Sequence, residues 1–335
     1  MKSFSFLVLA YNHEKYIIDH LESIKFQILT YREYFEIDLI INDDCSNDNT
    51  VELIDSWVAE NKQLFREVRK FFNTKNIGTA KSCCKMIGSL KTELFKLTAG
   101  DDIYSFENIF DGANLFDDNT AFVSGFPLYL KNNDLYINKI SGYLHHSTKR
   151  IYSKKTLISR FQRLSYHNAP NLFYNLHCAK NRDVLDYLEK YDVIEDWPLQ
   201  IAISRSYPSF KVKYTPKTFV YYRRTPGSIF LVENRRFISD KIQVYNDLFN
   251  NCDNKIDKFF VWIRMVSFIN RKSQLTRIFN LEIWSFFINS IIYLFSTLSD
   301  LFRSSIILPR HRAHYKLINE NSRKFINEFR SNGQI

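Results

Sequence analysis

The sequence contains little glycine and proline, with 8 Gly and 7 Pro among 335 residues. This composition excludes collagen-like and low-complexity proteins. The hydrophobic fraction is 45% and the charged fraction 24%. Those values exclude intrinsic disorder and leave enough apolar side chain for a sizeable core. The length therefore accommodates one large domain or two modest ones.

Cysteine is scarce as well, and its pattern excludes two common uses. There are five cysteines, two of them adjacent, and no C-x-x-C pair. We therefore expect neither a disulfide framework nor a zinc site, but reduced thiols in a cytosolic protein. The apolar run near the N-terminus is too short for a signal peptide and gives way to polar residues at Asn12. We predict a β-strand there.

Positive charge is in excess, but only in the later part of the chain. Residues 1–200 carry 24 Lys and Arg against 27 Asp and Glu, which makes them slightly acidic. Residues 201–335 carry 22 against 9, a net charge of +13. Such asymmetry indicates an anionic surface, either phospholipid or nucleic acid, as a partner of the later part.

The first hundred residues alternate between short apolar runs and stretches with helical spacing of apolar residues. The runs predict strands at residues 4–9, 37–41, 68–72 and 94–98, separated by helices at 13–26, 50–58 and 78–90. This alternation is typical of a mostly parallel sheet with helices on both faces. Further on, residues 121–130 and 135–140 resemble paired strands. A helix near 182–189 and a strand at 219–222 follow.

Polar residues follow three of these strands: Tyr11-Asn12, Asp43-Asp44 and Asp101-Asp102. Ligands of open α/β sheets bind where the strands end, so we expect these residues to converge on one crevice. Paired carboxylates suit Mg²⁺ or Mn²⁺ bridging to a diphosphate. Either Asp pair could instead belong to a solvated turn that caps a helix.

Glu195 and Asp196 lie in an apolar stretch and precede Trp197-Pro198. A carboxyl group among apolar neighbours can have a raised pKa and serve as a general base. Asp before Trp-Pro also opens a helix well. The two interpretations are compatible.

Taken together, five stretches resemble family 2 of the glycosyltransferases, which are inverting enzymes with the GT-A fold. In order, they are FLVLAYNHEKYI, IINDDCSNDNT, Asn76-Ile77-Gly78, LTAGDDIYSFENI and IEDWPL. They resemble the family's opening Ser-x-Tyr-Asn, Asp-Asp-Gly-Ser, Asn-x-Gly, Asp-x-Asp and Glu-Asp motifs. The resemblance covers roughly residues 3–230.

The resemblance implies a role for each matching residue. Donor-binding residues would be Tyr11 against the base, Asp44 bonded to it, and Asn76, Lys81, Asp102 and Arg223. Asp101 would bind Mn²⁺ or Mg²⁺, and Asp196 would be the catalytic base. Acceptor-side candidates are His167, Asn168 and Glu195. A Tyr222-Arg223…Ser228 stretch would form a mobile segment over the diphosphate.

Three positions depart from the family pattern. Ala99 stands where the first Asp of Asp-x-Asp is usual, which leaves the metal one protein ligand fewer. Cys45 replaces the usual Gly after Asp-Asp. Cys83-Cys84 stand where Arg-Asn is common, so a donor contact is lost or passes to Lys81.

The resemblance thus implies a transferase that moves a hexose or N-acetylhexosamine from a nucleotide donor, preferably UDP-linked, to a glycan or polyprenyl-diphosphate-linked glycan. Bacterial lipopolysaccharide or capsule synthesis is the setting it implies. Three alternatives remain. A catalytically inactive relative is compatible with Ala99. A nucleotidyltransferase would need a glycine-rich loop where AYNHEKY stands, and a nucleic-acid binder an aromatic-interleaved basic groove.

Residues 283–299 contain no charged side chain and are barely long enough to span a bilayer. We predict a helix for this segment, on which the polar residues form one narrow stripe. They are Glu282, Ser285, Asn289, Tyr293, Ser296, Asp300 and Arg303. With its basic flanks, this helix is expected to lie on an anionic membrane, with a bilayer span or a packed interface as alternatives.

We therefore expect a peripheral protein on the inner face of the cytoplasmic membrane that binds no nucleic acid. Residues 1–232 would form the GT-A domain. Its nucleotide-binding half would be 1–120 and its acceptor-binding half 121–232. Residues 233–335 would form a basic, aromatic-rich helical region.

Overall fold

A computed structural model describes residues 2–32, 34–225, 234–271, 273 and 280–331. The strands within these ranges are β1 (Lys2–Ala10), β2 (Phe35–Asp43), β3 (Glu67–Phe72), β4 (Leu94–Ala99), β5 (Ile103–Tyr104), β6 (Thr120–Ser124), β7 (Leu128–Lys131), β8 (Asp134–Tyr136), β9 (Leu172–Asn175), β10 (Lys211–Tyr214) and β11 (Val220–Arg223).

The helices in the first 210 residues are α1 (Ile17–Tyr31), α2 (Thr50–Asn61), α3 (Thr79–Ser89), α4 (Ile109–Ala113), α5 (Lys139–Ile151), α6 (Ser159–Gln162), α7 (Leu176–Ala179), α8 (Arg182–Leu188) and α9 (Asp196–Ser206). Those that follow are α10 (Arg235–Asn250), α11 (Lys255–Ile269), α12 (Leu281–Ile291), α13 (Leu294–Ile306) and α14 (Leu308–Ser331).

The main sheet has seven strands in the order β10-β6-β9-β4-β1-β2-β3. The pairs β1–β2, β2–β3 and β1–β4 are parallel, whereas β9 runs antiparallel to β4 and β6. The four predicted strands of the first hundred residues and the three helices between them are confirmed. Their buried apolar runs explain the success, since both faces of this sheet are covered.

The prediction for residues 121–140 was partly wrong. Residues 121–130 do not form one strand: β6 joins the main sheet and β7 joins a second sheet of order β5-β11-β7-β8. β7 does pair with β8, as predicted, but α5 begins at Lys139. The chain leaves one sheet for the other around Gly125, where an added Cβ would lie 2.9 Å from the Lys217 carbonyl oxygen.

The long helix α14 returns to the first part of the chain and packs against α1. Phe325 and Phe329 join the same buried cluster as Phe4 and Ile24. The region after residue 232 thus contributes to the core that supports β1. The predicted division of the chain into two domains remains a prediction.

Within the described residues, no single helix has both the length and the hydropathy needed to cross a bilayer. Helices α12 and α13 meet the criteria only as a pair, and their axes are bent by 90° at the break between them.

Candidate active site

The predicted crevice is present as a cavity of about 540 Å³. It lies at the carboxyl ends of β1, β2 and β4. Among the predicted site residues, its lining includes Tyr11, Asp44, Asn76, Asp101, Asp102, Glu195 and Asp196. A larger hollow, about 690 Å³, includes Lys2 and Leu94 in its lining, at the opposite ends of β1 and β4. None of the predicted site residues lines that hollow, so we place the site in the smaller cavity.

The loops after β1 and β2 are held together by their own polar groups. The backbone N–H of Asn12 donates to Ser46 Oγ over 2.7 Å, and Asn12 Oδ1 accepts from the Asn47 N–H over 2.8 Å. Asp43 Oδ1 accepts from the Ser46 N–H over 2.8 Å. These bonds fix the Asx-rich turn beneath Tyr11, whose ring is 44% exposed at the cavity. Tyr11 can therefore offer a face to a planar base.

Cys45 occupies a backbone conformation that favours glycine. Its φ is +69°, in the left-handed region, and this is the position where the resemblance expects Gly. For other residues that region costs about 1–2 kcal/mol. Cys45→Gly is therefore expected to raise the free energy of unfolding by about 0.5–1 kcal/mol, part of the gain being offset by the entropy of glycine in the unfolded chain. Urea unfolding tests this, and equal or lower stability would contradict it.

Asp44 is tied to the Asn-Ile-Gly turn. Its Oδ1 accepts from the Ile77 N–H over 2.8 Å and its Oδ2 from the Gly78 N–H over 2.9 Å. Asn73 Nδ2 donates a third bond over 3.0 Å. A carboxylate has about four acceptor positions, so Asp44 retains capacity for one donor from a ligand. The bonds orient its carboxylate in the cavity wall.

The loop after β4 presents one of its two carboxylates to the cavity and uses the other in its own structure. Asp102 is buried and accepts the Arg223 N–H at Oδ1 over 2.9 Å. Burial, and then the neighbouring Asp101, raise the pKa of Asp102 well above its usual range. No described residue bonds the Asp101 carboxylate, which is half-buried in the lining.

Arg223 does not reach the cavity, in contrast to its predicted role. Its guanidinium is buried, pairs with Asp19 over 2.7 Å, and donates through Nε to the Asp101 carbonyl oxygen over 2.6 Å. Arg223 therefore positions the Asp101-Asp102 loop instead of contacting a ligand. Ser228, the other end of the predicted mobile segment, lies outside the described residues.

The residues present fit a divalent cation only together with a substrate. Within the described ranges, no group of three or more His, Cys, Asp or Glu side chains could hold a metal by itself. Mg²⁺ and Mn²⁺ are commonly bound by one or two carboxylates plus substrate phosphates. The Asp101 carboxylate supplies such a ligand. His13 Nδ1, buried without a partner on the same cavity and about 3.0 Å from a Cβ built on Gly100, offers a second donor nearby.

Glu195 and Asp196 lie together where α9 begins. The Trp197 N–H donates to Asp196 Oδ1 over 2.8 Å. Burial raises the pKa of both carboxyl groups, and the charge of Asp196 helps to raise the pKa of Glu195 to about 8. The ammonium of Lys241 opposes the rise at Asp196. At neutral pH we therefore assign the proton of the pair to Glu195 and the charge to Asp196.

The raised pKa of Glu195 predicts a pH dependence of stability. Between its ordinary value of 4.5 and about 8, the folded protein keeps a proton that the unfolded chain releases. The free energy of unfolding should therefore fall as pH rises through this window. In Glu195→Gln, which cannot titrate, the fall should be smaller. Urea unfolding of both proteins at pH 5, 6.5 and 8 measures the difference. An identical dependence of the free energy of unfolding on pH in the two proteins would contradict the raised pKa of Glu195.

Three further predicted residues lie outside the cavity lining. Lys81 is exposed on the first turn of α3, whereas Thr79 and Ser82 of that helix line the cavity. His167 is half-buried with its Nε2 atom enclosed, and this desolvation lowers its pKa to about 3; Asn168 is buried with its Oδ1 bonded to Asn171. The geometry does not support their predicted acceptor contacts. Ala169 and Pro170, which follow His167 and Asn168 in the chain, do line the cavity.

Two cavity residues were missed by the sequence analysis. His13 lies within the first motif, but a histidine beside Tyr-Asn carries no distinguishing signal of its own. Arg236 lines the cavity and bonds Asp192 through both Nε and Nη2; its Nη2 is also 3.3 Å from Asn76 Oδ1. It was missed because it lies beyond the boundary predicted at residue 232. The run Arg235-Arg236, at the start of α10, was the available signal.

Comparison with known proteins defines the class. The sequence model of glycosyl transferase family 2 matches residues 5–176, a little over half of the chain. This protein therefore belongs to glycosyl transferase family 2. Over 101 residues it is 31% identical to uncharacterized proteins of Mycobacterium bovis and Mycobacterium tuberculosis. The aligned part spans 30% of this chain and only 27% of those proteins.

Solved structures share the fold. TarS 1–349 of S. aureus, in complex with UDP-GlcNAc, matches with a TM-score of 0.57 and 18% identity, over 97% of this chain and 92% of that one. A longer TarS structure is covered over 44% of its length. The mannosyltransferase PcManGT from Pyrobaculum calidifontis, in complex with GDP-Man and Mn²⁺, matches with a TM-score of 0.55 and 12% identity, over 94% and 86%. The predicted GT-A fold is thereby confirmed.

Proposed function

We propose that this glycosyltransferase is an inverting enzyme that transfers a sugar from a UDP-linked donor to a hydroxyl group of a glycan or lipid-linked glycan. One observation carries the proposal. A single cavity holds the Asp101 carboxylate on one element and the Glu195–Asp196 pair on another. Tyr222 lines the same cavity; burial raises its pKa, with smaller contributions from the charges of Asp102, Asp101 and Asp196.

The donor end of the cavity is the end formed by the first motifs. Tyr11 offers a ring face, Asp44 an acceptor, and Asn76 a polar edge. These groups suit a nucleobase and ribose. Structural neighbours bind UDP-GlcNAc and GDP-Man, which supports a hexose or N-acetylhexosamine donor. We favour UDP because a single acceptor of the Asp44 type fits the N3–H of uracil.

The proposed reaction balances without a covalent enzyme intermediate. The acceptor oxygen forms a bond to the anomeric carbon as the bond from that carbon to the diphosphate oxygen breaks. The proton of the hydroxyl passes to Asp196, and the bonding electron pair leaves with the diphosphate. One base with no nucleophile gives attack from the face opposite the leaving group, which inverts the anomeric centre.

Asp196 is the base because it is the member of the pair that is ionised at neutral pH. The Lys241 ammonium and the Trp197 N–H stabilise its charge, whereas Glu195 retains a proton. A raised pKa brings Asp196 closer to the operating pH and makes it a stronger base than an exposed carboxylate. Tyr174 and Tyr222 line the same cavity as Asp196, and their rings would reduce the access of water to the base.

Asp101 would hold Mn²⁺ or Mg²⁺ together with the diphosphate, and the cation would neutralise the charge that develops on the leaving group. The chain itself keeps Asp101 in place. Arg223 Nε donates a hydrogen bond to the Asp101 carbonyl oxygen, and the Gly100 N–H donates to the Leu9 carbonyl oxygen over 2.8 Å. Gly100 also leaves space for Ile17 and His13, which would collide with a Cβ there.

The proposed setting is the synthesis of a bacterial surface polysaccharide, such as lipopolysaccharide or capsule, on the cytoplasmic side of the membrane. Nucleotide sugars are cytosolic metabolites, and a growing glycan on a lipid carrier would meet the enzyme at the membrane surface. The basic later part of the chain supports this setting.

Turnover with a donor panel tests the proposal. The protein would be incubated with UDP-GlcNAc, UDP-Glc, UDP-Gal or GDP-Man, with Mn²⁺ and a bacterial lipid extract as the source of acceptor. Release of nucleoside diphosphate and the mass gain of the lipid fraction would be measured. We expect transfer from one UDP-sugar, absent in Asp196→Asn. Binding of nucleotide without transfer from any donor would favour an inactive relative.

A further inference from the structure

Helices α12 and α13 have an inverted amphipathic arrangement. Several of their polar side chains face the body of the protein, whereas Asn289, Ser296 and Arg303 are exposed. Glu282 pairs with Arg163 over 3.1 Å, and the hydroxyls of Ser290 and Tyr143 are 2.6 Å apart. On α13, Asp300 pairs with Arg150. Glu282, Ser290 and Asp300 therefore anchor the two helices and leave many of their large apolar side chains outward.

The outward face is unusually apolar for a surface in water. Ile292 is 77% exposed, Phe295 88% and Phe302 68%. Trp284 and Ile288 of α12 are also more than half exposed. Ile292 and Phe295 lie at the 90° bend, so the most exposed side chains form its tip. Scattered exposed apolar residues are normal, but a face of this kind marks an interaction site.

Positive charge near this face favours an anionic partner. Arg303 on α13 is exposed, and so is Lys149 of α5, the helix packed against α13. Residues 201–335 together carry a net charge of +13. A second copy of this chain would bring cations of equal sign together across the contact. An anionic lipid surface offers both the apolar interior and the opposite charge.

We propose that α12, α13 and the bend between them form a membrane-binding face, which inserts the side chains around Ile292 and Phe295 into a bilayer containing anionic phospholipid. Because of the 90° bend, the two helices form a wedge whose tip would point into the membrane interface. Trp284 would lie at the level of the headgroups, where indole rings are favoured.

The N-terminal end of α12 lies near the part of the cavity wall formed by Ala169 and Pro170, which we take as the acceptor side, so this part of the inference rests on the proposed function. The Leu164 N–H donates to Glu282 of α12, and Ala169, five residues later, lines the cavity. Five residues span at most about 18 Å when fully extended. The inserted tip at Ile292 lies ten residues beyond Glu282, about 15 Å along α12, so an acceptor carried on a lipid would have to extend from the tip to reach the site.

Vesicle flotation of the full chain tests the proposal. Vesicles of phosphatidylcholine alone would be compared with vesicles that contain about 30 mol% phosphatidylglycerol, whose negative surface potential attracts basic segments. We expect binding to the anionic vesicles, weakened by salt, and at least about tenfold weaker in the double variant Ile292→Asp, Phe295→Asp. Leu29→Asp on α1, where the native leucine is 65% exposed, is the matched control and should bind like wild type.

Three outcomes would overturn the proposal: no binding to either vesicle, equal binding by the double variant, or loss of binding in the control. A dimer in light scattering that the double variant abolishes, without vesicle binding, would assign the face to a second copy. Nucleotide binding of the same variants would be measured separately. Failure of the membrane proposal with intact nucleotide binding is thereby distinguished from failure of the proposed function.

Discussion

Replacement of Asp196 by asparagine is expected to lower kcat by about 10²- to 10⁴-fold, the range that a positioned general base contributes. Asparagine preserves the size of the side chain and can still accept the Trp197 N–H bond, so the fold at the start of α9 should survive. What it cannot do is take the proton of the attacking hydroxyl. Steady-state kinetics with the donor identified by turnover measures the loss.

Glu195→Gln is the matched control, because it alters the adjacent carboxyl group in the same way. Glu195 is already protonated near neutral pH, with its pKa raised to about 8, so glutamine reproduces the state that is present. We expect it to retain most of the activity. Equal losses in the two variants, or a larger loss in Glu195→Gln, would reverse our assignment of the base.

Gly78→Ala is expected to lower the free energy of unfolding by about 2–4 kcal/mol, at the upper end for single substitutions. Gly78 has a φ of +91°, and a Cβ there would lie 2.5 Å from the Asp192 carbonyl oxygen. Backbone strain and a backbone collision therefore act together. Because the Gly78 N–H also orients Asp44, nucleotide binding should weaken in the same variant. Urea unfolding and nucleotide titration measure the two effects.

Gly88→Ala provides the contrast in α3, the helix that Gly78 precedes. Gly88 lies in α3, and a Cβ there meets nothing within 4 Å. Alanine should therefore stabilise the protein by about 0.5–1 kcal/mol through helix propensity. The positive φ and close packing of Gly78 would not explain its effect if both variants lost stability equally, or if Gly78→Ala lowered the free energy of unfolding by less than about 1 kcal/mol.

The sequence was sufficient for the parallel half of the main sheet because its strands are continuous apolar runs with polar residues at their ends. That pattern also located Tyr11, Asp44 and Asp101 in one cavity, and Asp196, which the family resemblance proposed, lines the same cavity. It failed for residues 121–130, where two short strands in different sheets share one apolar run. Periodicity cannot reveal which sheet a strand joins.

Long-range pairing explains the other errors. Arg223 was expected at the diphosphate because arginine suits phosphate, yet Asp19, about two hundred residues earlier, holds it in the interior. His167 looked polar and available, but Phe161 and Tyr214 pack around it. Arg236 reached the cavity from beyond the predicted boundary. Such partnerships depend on the tertiary fold, and the local sequence does not show which residues will meet.

The C-terminal helices show a related limit. The sequence predicted a single helix with one polar stripe over residues 282–303, which was wrong, because α12 and α13 are separate helices that meet at a 90° bend. The structure places Glu282 and Asp300 inward, bonded to Arg163 and Arg150. Only with that orientation does the exposed apolar face become a docking surface.

The central claim is that the cavity binds a nucleoside diphosphate through a cation held by Asp101. The most direct test is the thermal shift of the wild type and of Asp101→Ala with UDP, GDP, dTDP and CMP, each with and without Mn²⁺. Asp118→Ala, at an exposed position away from the cavity, is the control. We predict a Mn²⁺-dependent rise with UDP in the wild type and control, absent in Asp101→Ala. No shift with any nucleotide, or an equal shift in Asp101→Ala, would contradict the claim.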